Sequence, residues 1–501
     1  MRDLIFVSLE PWDEIWRRNQ FVCAQLSRRF PRSRLLFVAR PQFSLLLLRA
    51  GLRQPGPIWR TLRRAVQGRC ETVRDYPNIC VFTPVKWLPN PLPGARKLNE
   101  ALGRRAIARA AKRVGVRDPL LWLNPHDAEY LVGHLGERGV VYDITDDWEL
   151  AAPPGALRER IEGEDRALCR RADLTVVCSR ALFDSRESVA RRVLLLPNGV
   201  DARHYQTASD ADPRPHGRFS DDGEFVSASP AANNGNGSPE SEEPISTTPG
   251  VGKTRWARPV FGYTGSLHAE RIDLGLVEAL AKRFSQGSVV LIGPNHWSDG
   301  ELARALAAHP NLFAPGAVAY RDIPQVMARF DACIVPHRRS QFTESLNPIK
   351  LWEFLACGKP IVATDVAGFR DFPDLVRLAS DETEFLDACR DALREVNACD
   401  TDEESETPCL CAERRAQAGR NGWDARVDEL LGALRDAGLW PREPNANGEV
   451  QRNGETNAKS HSNGNDEIEA NGIANGGNAN GQVSPDGEAN RGGRAAREAA
   501  R

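Results

Sequence analysis

The sequence has no apolar run long enough to cross a membrane. A membrane-spanning helix needs about 20 largely apolar residues, whereas apolar stretches such as residues 35–38 and 45–48 have the length of strands. The N-terminus also runs directly into a strand-like segment that carries Glu10 and Asp13, which argues against a secretory signal. These absences in the 501-residue chain predict a cytoplasmic protein.

Paired cysteines and glycine fingerprints are also missing. Eleven cysteines are present, yet none forms a CxxC pair, and Cys409 and Cys411 are the closest two. This scattering argues against a disulfide-built domain and a zinc ribbon, and it favours a reducing compartment. No GxGxxG motif occurs, so a dinucleotide-binding dehydrogenase gains no support.

The net charge of −2 hides an excess of basic residues near the N-terminus. Residues 1–118 contain 24 Lys and Arg against 8 Asp and Glu, a balance of +16. The basic, partly apolar segments 49–69 and 96–117 suit an anionic surface, so one interpretation is peripheral attachment at the inner face of the plasma membrane. A solvated basic face is the alternative. Nucleic-acid binding would need a recognised module or stacking platform, and the sequence offers none.

Two stretches contain too few apolar residues to fold by themselves. Residues 207–256 run through Ser, Asp, Pro, Asn and Gly, and residues 441–501 contain eleven Asn and ten Gly. Because such compositions cannot offset the entropy lost on ordering, we expect a disordered insert and a disordered tail. The predicted organisation is a first domain, an insert, a second domain, a final helix and a tail, at residues 1–205, 206–256, 257–420, 421–440 and 441–501.

Both ordered blocks alternate short apolar runs with amphipathic segments. In the second block the runs cover residues 260–263, 288–292, 332–335 and 361–364. Continuous apolar strands that alternate with helices indicate parallel sheets covered on both faces. The predicted fold class is α/β, with two Rossmann-like parallel-sheet domains facing a cleft. Ligands of such sheets bind beyond the carboxyl ends of the strands, so we expect the functional site in that cleft.

Residues 345–364 carry the most informative local pattern. Asn347 is a favourable N-cap, Pro348 suits the first helical position, and Gly358 suits the helix end. The exposed amides and the dipole at such a helix start bind anions. Lys350 lies in the first turn, where a cation is unfavourable unless a phosphate occupies the space in front of it.

Glu353 follows Lys350 by one turn on the same helix face. A carboxylate at this position can accept hydrogen bonds from ribose hydroxyls behind a phosphate. The alternative is an ion pair between the two side chains, worth roughly a few tenths of a kcal/mol. We favour ligand binding, because the capping pattern, the unusual lysine and the position after a loop all agree.

Residues 347–362 (NPIKLWEFLACGKPIV) resemble the donor-binding segment of GT-B glycosyltransferases, in particular the retaining family-4-like enzymes of bacterial polysaccharide assembly of the teichuronic-acid type. Other matching pieces occur in the family's order: 12–20 (WDEIWRRNQ), 142–148 (YDITDDW), 172–179 (ADLTVVCS), 196–201 (LPNGVD), 262–266 (GYTGS) and 331–336 (DACIVP). The resemblance implies a GT-B fold. It also implies transfer of a sugar from a nucleotide-diphosphate sugar to a hydroxyl of a glycan or lipid-linked acceptor, with retention of configuration.

The resemblance places the donor in the second domain and the acceptor at the first. It implies that Glu353 binds the ribose and that a basic, glycine-containing site stabilises the departing diphosphate. The residues assigned to this site are Lys350, Arg271, Gly262, Gly265, Asn347 and Pro348. Because these groups neutralise the leaving group, we expect neither a metal ion nor a cofactor. The alternative for Gly262 and Gly265 is an ordinary strand-to-helix turn.

Asp146 and Asp147 follow the apolar run 140–144. A pair of carboxylates at the end of that strand can orient or deprotonate an acceptor hydroxyl. Helix N-capping is an equally good explanation for either residue. Both interpretations are open from the sequence.

The sequence departs from the family at one position. Family members often carry a further glutamate eight residues before Glu353 that contacts the donor sugar, and here Ser345 occupies it, with Glu344 one place earlier. How the sugar hydroxyls are held is therefore open. Two alternatives to transfer remain: a nucleotide-sugar epimerase of GT-B fold, and a non-catalytic nucleotide-sugar-binding protein.

Overall fold

The structure is a computed structural model, and it describes residues 2–43, 67–89, 92–209, 217–220, 225–227, 256–297, 300–399 and 409–441. The predicted tail therefore lies outside the described residues apart from Pro441, and so do most of the insert and residues 49–66 of the first basic segment.

The first domain is built on a sheet whose strands are β1 (Leu4–Val7), β2 (Leu35–Val38), β4 (Glu71–Val73), β5 (Tyr76–Phe82), β7 (Leu120–Leu123), β8 (Gly139–Ile144), β9 (Leu174–Val177) and β10 (Val193–Leu195); two short strands, β3 (Gln42–Phe43) and β6 (Val85–Lys86), pair separately. The order in the large sheet is β10-β9-β8-β7-β1-β2-β5-β4, and only β4 is antiparallel to its neighbour. Successive residues of β1 enter different cores, Leu4 and Phe6 on one face and Ile5 and Val7 on the other. Burial on both faces explains why these strands read as continuous apolar runs.

Helices cover this sheet. They are α1 (Arg18–Arg29), α2 (Ala95–Val114), α3 (Trp148–Ala151), α4 (Ala156–Arg171) and α5 (Arg180–Arg186), with a 3₁₀ turn at Ala128–Leu131. The apolar face of α1 supplies Phe21, Val22 and Leu26 to the core that contains Phe37 and Trp122.

The second domain repeats the arrangement with six parallel strands. They are β13 (Val260–Thr264), β14 (Ser288–Ile292), β15 (Leu312–Gly316), β16 (Ala332–Val335), β17 (Ile361–Thr364) and β18 (Arg377–Ala379), in the order β15-β14-β13-β16-β17-β18. Its helices are α6 (Ala202–Ser209), α7 (Leu274–Arg283), α8 (Glu301–Ala308), α9 (Ile323–Ala328), α10 (Ile349–Cys357), α11 (Glu382–Cys399) and α12 (Cys411–Arg420), with 3₁₀ turns at Tyr320–Asp322 and Thr343–Ser345. The predicted α/β class with two parallel-sheet domains is confirmed.

Part of the insert forms a hairpin, which its polar composition did not predict. Strands β11 (Gly217–Phe219) and β12 (Phe225–Ser227) pair antiparallel. Phe219 is buried in the second domain's core, and its backbone N–H donates to Asn397 Oδ1 at 2.7 Å. One buried aromatic side chain and the hydrogen bonds between the Phe219 backbone and the Asn397 side chain of α11 hold the hairpin, although the surrounding residues are polar.

The final helix, α13 (Trp423–Asp436), follows the second domain in sequence but packs on the first. Trp423 stacks on Phe21 of α1, with ring centroids 5.0 Å apart. Val427, Leu430 and Leu434 are fully buried in the first domain's core. The expectation that this helix buries its apolar face is confirmed.

No helix within the described ranges is both long and apolar enough to span a bilayer. Among the cysteines whose side chains the structure describes, nine are free thiols. Cys409 is disulfide-bonded, which the scattered cysteine pattern did not predict.

Candidate functional site

A cavity of about 300 Å³ lies between the two sheets. Its walls come from the loops that follow β1 and β8 in the first domain, and β13, β14 and β16 in the second. The N-terminus of α10 closes one side. Because the carboxyl ends of parallel strands gather at one edge of a sheet, this topology brings loop residues far apart in sequence into one cleft.

The helix start at α10 is open towards this cleft. Pro348 is the N-cap in an extended conformation (φ −73°, ψ 124°), and no side chain caps the first turn. The prediction that Asn347 caps the helix is wrong. Its Oδ1 instead accepts from the backbone N–H of Asn198 at 2.9 Å, and its carbonyl oxygen accepts from Asn198 Nδ2 at 2.5 Å. Because the first domain engages Asn347, the orphan amides of α10 remain available to an anion.

Lys350 extends over the turn that follows β13. Its Nζ lies 5.0 Å from the centroid of the Tyr263 ring. A Cβ placed on Gly265 would lie 3.1 Å from the same Nζ, so the ammonium group lies directly against the turn. The alternative of an ion pair with Glu353 does not describe the structure, in which Glu353 Oε1 accepts from Tyr205 Oη at 2.8 Å.

Two glycines make the turn compact, and only one of them was predicted. Gly265 has φ +140°, and its backbone N–H donates to the Ile292 carbonyl at 2.8 Å. Gly293, after β14, has φ +150°, and a Cβ there would lie 1.9 Å from the Gly265 carbonyl oxygen. Both positions therefore require glycine. A glycine directly after the apolar run 288–292 is the signal that identifies Gly293 in the sequence.

Gly262 does not take part in the cleft. It lies within β13, where a Cβ would approach the Phe330 ring to 2.2 Å. Its lack of a side chain serves core packing, so its assignment to the diphosphate site is corrected. The alternation of the strand explains this, because a residue in the middle of a buried strand faces the core and not the strand end.

Arg271 and Asp146 join the two domains across the cleft. Arg271 Nη2 donates to Asp146 Oδ1 at 2.9 Å, and both side chains are about one fifth exposed, at 22% and 23%. The guanidinium also lies 5.2 Å from the Phe342 ring centroid. Burial raises the pKa of Asp146, and the charge of Arg271 opposes this rise.

Asp147 lies away from the cleft. Its Oδ1 accepts from the Leu150 N–H at 3.3 Å, which caps α3, and its carboxylate lies 3.5 Å from Arg186 Nη1. The side chain is buried, and the helix-capping interpretation holds for this residue. The adjacent carboxylates have different surroundings. Asp146 continues the end of β8 towards the cleft, whereas Asp147 begins α3.

Glu353 is the cleft carboxylate of the second domain. Burial raises its pKa, while the hydrogen bond from Tyr205 and the charge of Lys350 act in the opposite direction. Tyr205 comes from α6, so the helix after the first domain fixes the orientation of this carboxylate.

Two further titratable residues, which sequence reasoning missed, line the cleft. Glu10 lies on the loop after β1, 3.2 Å from Arg17 Nε, and burial raises its pKa to about 7. His337 follows β16, and its pKa is well below the usual range because of burial, with Lys350 and Arg271 adding to the effect. A single charged or imidazole residue after a strand has no periodic signal. The sequence marks the strand ends but not which of the residues after them face the cleft.

These groups give the cleft two chemical sides. The second domain contributes cations, open helix amides and a close glycine turn, which together suit a diphosphate. The first domain contributes carboxylates. His, Cys, Asp and Glu side chains within the described ranges do not gather into a group of three or more that could hold a metal ion, and metal independence stays a prediction.

Comparisons with known proteins show what this chain is similar to. Residues 258–395 match the family model described as glycosyl transferases group 1. The putative teichuronic acid biosynthesis glycosyltransferase TuaH of Bacillus subtilis (strain 168) is 27% identical over 107 residues. That alignment covers 21% of this chain and 27% of TuaH, so the chain matches about a quarter of its curated relative.

Solved structures resemble the whole described fold. HepE from Anabaena, solved in complex with UDP and glucose, is 15% identical with a TM-score of 0.54, covering 87% of this chain and 100% of that one. Sucrose-phosphate synthase from Thermosynechococcus elongatus is 14% identical with a TM-score of 0.57, covering 87% and 99%. Residues 258–395 of this chain therefore match a glycosyltransferase group 1 domain, within a GT-B fold that extends over both sheets.

Proposed function

We propose that this protein transfers a sugar from a nucleotide-diphosphate sugar to a hydroxyl of a glycan or lipid-linked acceptor. The observation that carries the proposal is Lys350, which lies against the Gly265 turn at the open start of α10. A cation, a compact glycine turn and unpaired helix amides form a site for two linked phosphates. The group 1 domain that contains these residues supports the same reaction class.

On the donor side, the enzyme acts by stabilising the leaving group. As the bond between the anomeric carbon and the diphosphate breaks, negative charge grows on the phosphate oxygens. Lys350, Arg271 and the amides of α10 are already positioned for that charge, so little reorganisation is needed. Glu353 accepts hydrogen bonds from the ribose hydroxyls, since a carboxylate accepts and a hydroxyl donates.

On the acceptor side, Asp146 is the proposed contact for the attacking hydroxyl. The acceptor oxygen forms the new bond to the anomeric carbon, and its proton passes to Asp146 and then to solvent. Arg271 donates to this carboxylate. Its guanidinium has further N–H donors, which we assign to the diphosphate, so one side chain would contact both the acceptor side and the leaving group.

A role in cell-surface polysaccharide synthesis is the finer part of the proposal. It is supported by the likeness to TuaH and by the excess of basic residues in the first domain, which suits lipid-linked or phosphate-bearing acceptors. Association with the inner face of the plasma membrane follows from the same charge and is tested below.

The test is a transfer assay with radiolabelled nucleotide sugars and glycan or lipid-linked acceptors. Acceptor-dependent transfer that Lys350→Ala abolishes supports the proposal. Conversion of the sugar nucleotide without an acceptor would identify an epimerase instead. Binding of sugar nucleotides with no conversion of any of them would identify a binding protein.

A further inference from the structure

The donor site lacks an evident partner for the sugar. At the position where related enzymes carry a glutamate, Ser345 is buried, and its Oγ donates to the Phe342 carbonyl at 2.7 Å. The neighbouring Glu344 is engaged outside the cleft by the Arg370 guanidinium, at 3.1 and 3.2 Å. Neither side chain lines the cavity. Some other group must therefore meet the sugar hydroxyls.

His337 is a buried polar side chain in that part of the cleft. It lines the cavity and is 2% exposed, and neither ring nitrogen has a hydrogen-bond partner within the described part of the chain. Buried polar groups in folded proteins are almost always paired, because each unpaired one costs about 1–3 kcal/mol. An imidazole left in this state beside a ligand cavity is available to a ligand.

The position of His337 is fixed by its surroundings. Its carbonyl accepts from Thr364 Oγ1 at 2.8 Å. The residues on either side of it bond to the chain around Arg271; the carbonyl of Pro336, for example, accepts from the Asp273 N–H at 2.8 Å. The rings of Tyr263 and Phe369 pack edge-on at 6.2 and 6.3 Å. The imidazole is therefore preorganised for one ligand geometry.

Thr264 provides a second unpaired group on the same wall. It ends β13, directly before the Gly265 turn, and it is 4% exposed. Its Oγ1 also has no partner among the described residues. This hydroxyl is thus adjacent in the chain to the turn assigned to the diphosphate. A group attached to the diphosphate therefore comes within reach of the hydroxyl.

We infer that His337, assisted by Thr264, binds the hydroxyl groups of the donor's hexosyl unit in place of the family's glutamate. This inference rests on the proposed function and assigns its sugar subsite. A neutral imidazole presents one donor and one acceptor nitrogen, which matches a hydroxyl that both accepts and donates. A carboxylate would only accept. The subsite therefore suits a hexose with free hydroxyls.

The experiment compares calorimetric dissociation constants of UDP, ADP and GDP with those of UDP-glucose, UDP-galactose, UDP-N-acetylglucosamine, ADP-glucose and GDP-mannose. For the best-binding sugar nucleotide, His337→Phe should weaken binding about tenfold, because one or two neutral hydrogen bonds are lost. Binding of the matching diphosphate should change less than about twofold. His337→Gln, which keeps a donor and an acceptor, should restore most of the affinity.

Ser345→Ala is the matched control and should leave the ratio of the two dissociation constants unchanged. Thr264→Val removes a hydroxyl at constant shape. Like His337→Phe, it should raise the dissociation constant of the sugar nucleotide relative to that of the diphosphate, and it tests the inference even if His337→Phe fails to fold. The inference is overturned if folded His337→Phe and Thr264→Val proteins bind sugar nucleotides like the wild type, or if only Ser345→Ala reduces binding. Failure of the wild-type protein to bind any of the diphosphates would instead overturn the proposed function.

Discussion

Lys350 and Glu353 lie one helical turn apart and contact different surroundings. Lys350 lies against the glycine turn of β13, while Glu353 is held by Tyr205 of α6. In the proposed function, a helix that begins at the cleft thus presents a cation to the phosphates and a carboxylate to the ribose next to them. The two side chains should therefore contribute to separable parts of nucleotide affinity.

Lys350→Ala should weaken binding of the nucleoside diphosphate about 10- to 100-fold, because hydrogen bonds to charged groups are worth about 1.5–3 kcal/mol. Binding of the nucleoside alone should be nearly unchanged. Isothermal calorimetry measures both. Lys282→Ala, which removes an exposed lysine at the end of α7, is the control for lost charge.

Glu353→Gln gives the complementary result within the same experiment. Glutamine can still accept from Tyr205, so the local structure should persist, but the charge-assisted bonds to ribose are lost. Nucleoside affinity should fall. If each substitution weakened binding of the nucleoside and of the nucleoside diphosphate to the same extent, the division between phosphate and ribose contacts would be contradicted.

Asp146 and Asp147 provide a second test at the scale of residues. Asp146→Asn should lower the acceptor-dependent rate by about 10²–10⁴-fold, the usual range for loss of a proton acceptor, without weakening donor binding. Asp147→Asn should instead lower the melting temperature, since it keeps the cap of α3 but loses the buried pairing with Arg186. A large rate loss from Asp147→Asn with unchanged stability would reverse these assignments.

The pH dependence of the rate follows from the same carboxylate. Burial raises the pKa of Asp146, so its proton-accepting form is lost as the pH falls through a value above the ordinary aspartate range. The acid limb of the rate profile should therefore lie above that range, and it should be lost in Asp146→Asn, because an asparagine side chain does not titrate. Glu10, whose pKa is about 7, titrates nearby, and Glu10→Gln shows which part of the limb belongs to it.

Among the helices, α10 is proposed to take a role that other enzymes give to a metal ion. In this proposal its uncapped amides and dipole, with Lys350 and Arg271, neutralise a departing diphosphate. Transfer should therefore continue in EDTA at an unchanged rate. Loss of turnover on chelation that Mg²⁺ or Mn²⁺ restores would show that the helix and the basic residues are insufficient.

The helix α13 ties the end of the ordered chain to the first domain. Leu430 is fully buried in that core. Leu430→Ala should reduce the free energy of unfolding of the first domain by about 2–5 kcal/mol, through lost burial and the cavity left behind. Urea denaturation followed by tryptophan fluorescence measures the change. Glu429→Ala, on the exposed side of the same helix, should change it by less than about 1 kcal/mol.

The elements were predictable where the pattern was local. Strands such as 288–292 and 332–335 are identified by continuous apolar runs, and the boundaries observed for β14 and β16 coincide with them. The start of α10 was misplaced by one residue, because Pro348 fits both the N-cap and the first helical position. Gly262 was misassigned because the sequence does not show that it faces Phe330.

The site was predictable only in part for a related reason. Lys350 and Glu353 lie on one short helix, so spacing alone relates them. The pairing of Arg271 with Asp146 depends on how the two sheets are placed. The ring nitrogens of His337 have no hydrogen-bond partner among the described residues, a state set by the packing inside the second domain. No local pattern encodes either arrangement. Residues joined by tertiary structure alone require the fold before they can be recognised.

At the scale of the whole molecule, several contacts hold the two domains around the cleft. Trp16 of the first domain stacks on Tyr320 of the second at 5.5 Å, and the Tyr320 N–H donates to the Glu14 carbonyl at 2.8 Å. The Asn198–Asn347 and Arg271–Asp146 hydrogen bonds cross the same boundary. The basic first domain is therefore held beside the proposed donor site.

This arrangement leads to a prediction about membranes. The helix α2 carries the exposed residues Arg105, Lys112 and Arg113, and the first 118 residues have a balance of +16. Each basic residue near an anionic bilayer contributes about 1 kcal/mol. The protein should therefore sediment with vesicles of phosphatidylglycerol and phosphatidylcholine but not with phosphatidylcholine alone. Binding should weaken as salt is added, because screening shortens to about 8 Å at physiological ionic strength.

The decisive comparison removes equal charge from the two domains. Replacing Arg105, Lys112 and Arg113 by Ser should reduce vesicle binding more than replacing Lys282, Arg394 and Arg420 of the second domain, since only the first set belongs to the basic domain. Equal losses would mean attraction by overall charge, not by a defined face. Failure of the wild-type protein to bind anionic vesicles would leave a phosphate-bearing acceptor as the reason for the basic charge. In that case replacing Arg105, Lys112 and Arg113 by Ser should raise the KM for such an acceptor and leave the KM for the nucleotide sugar unchanged.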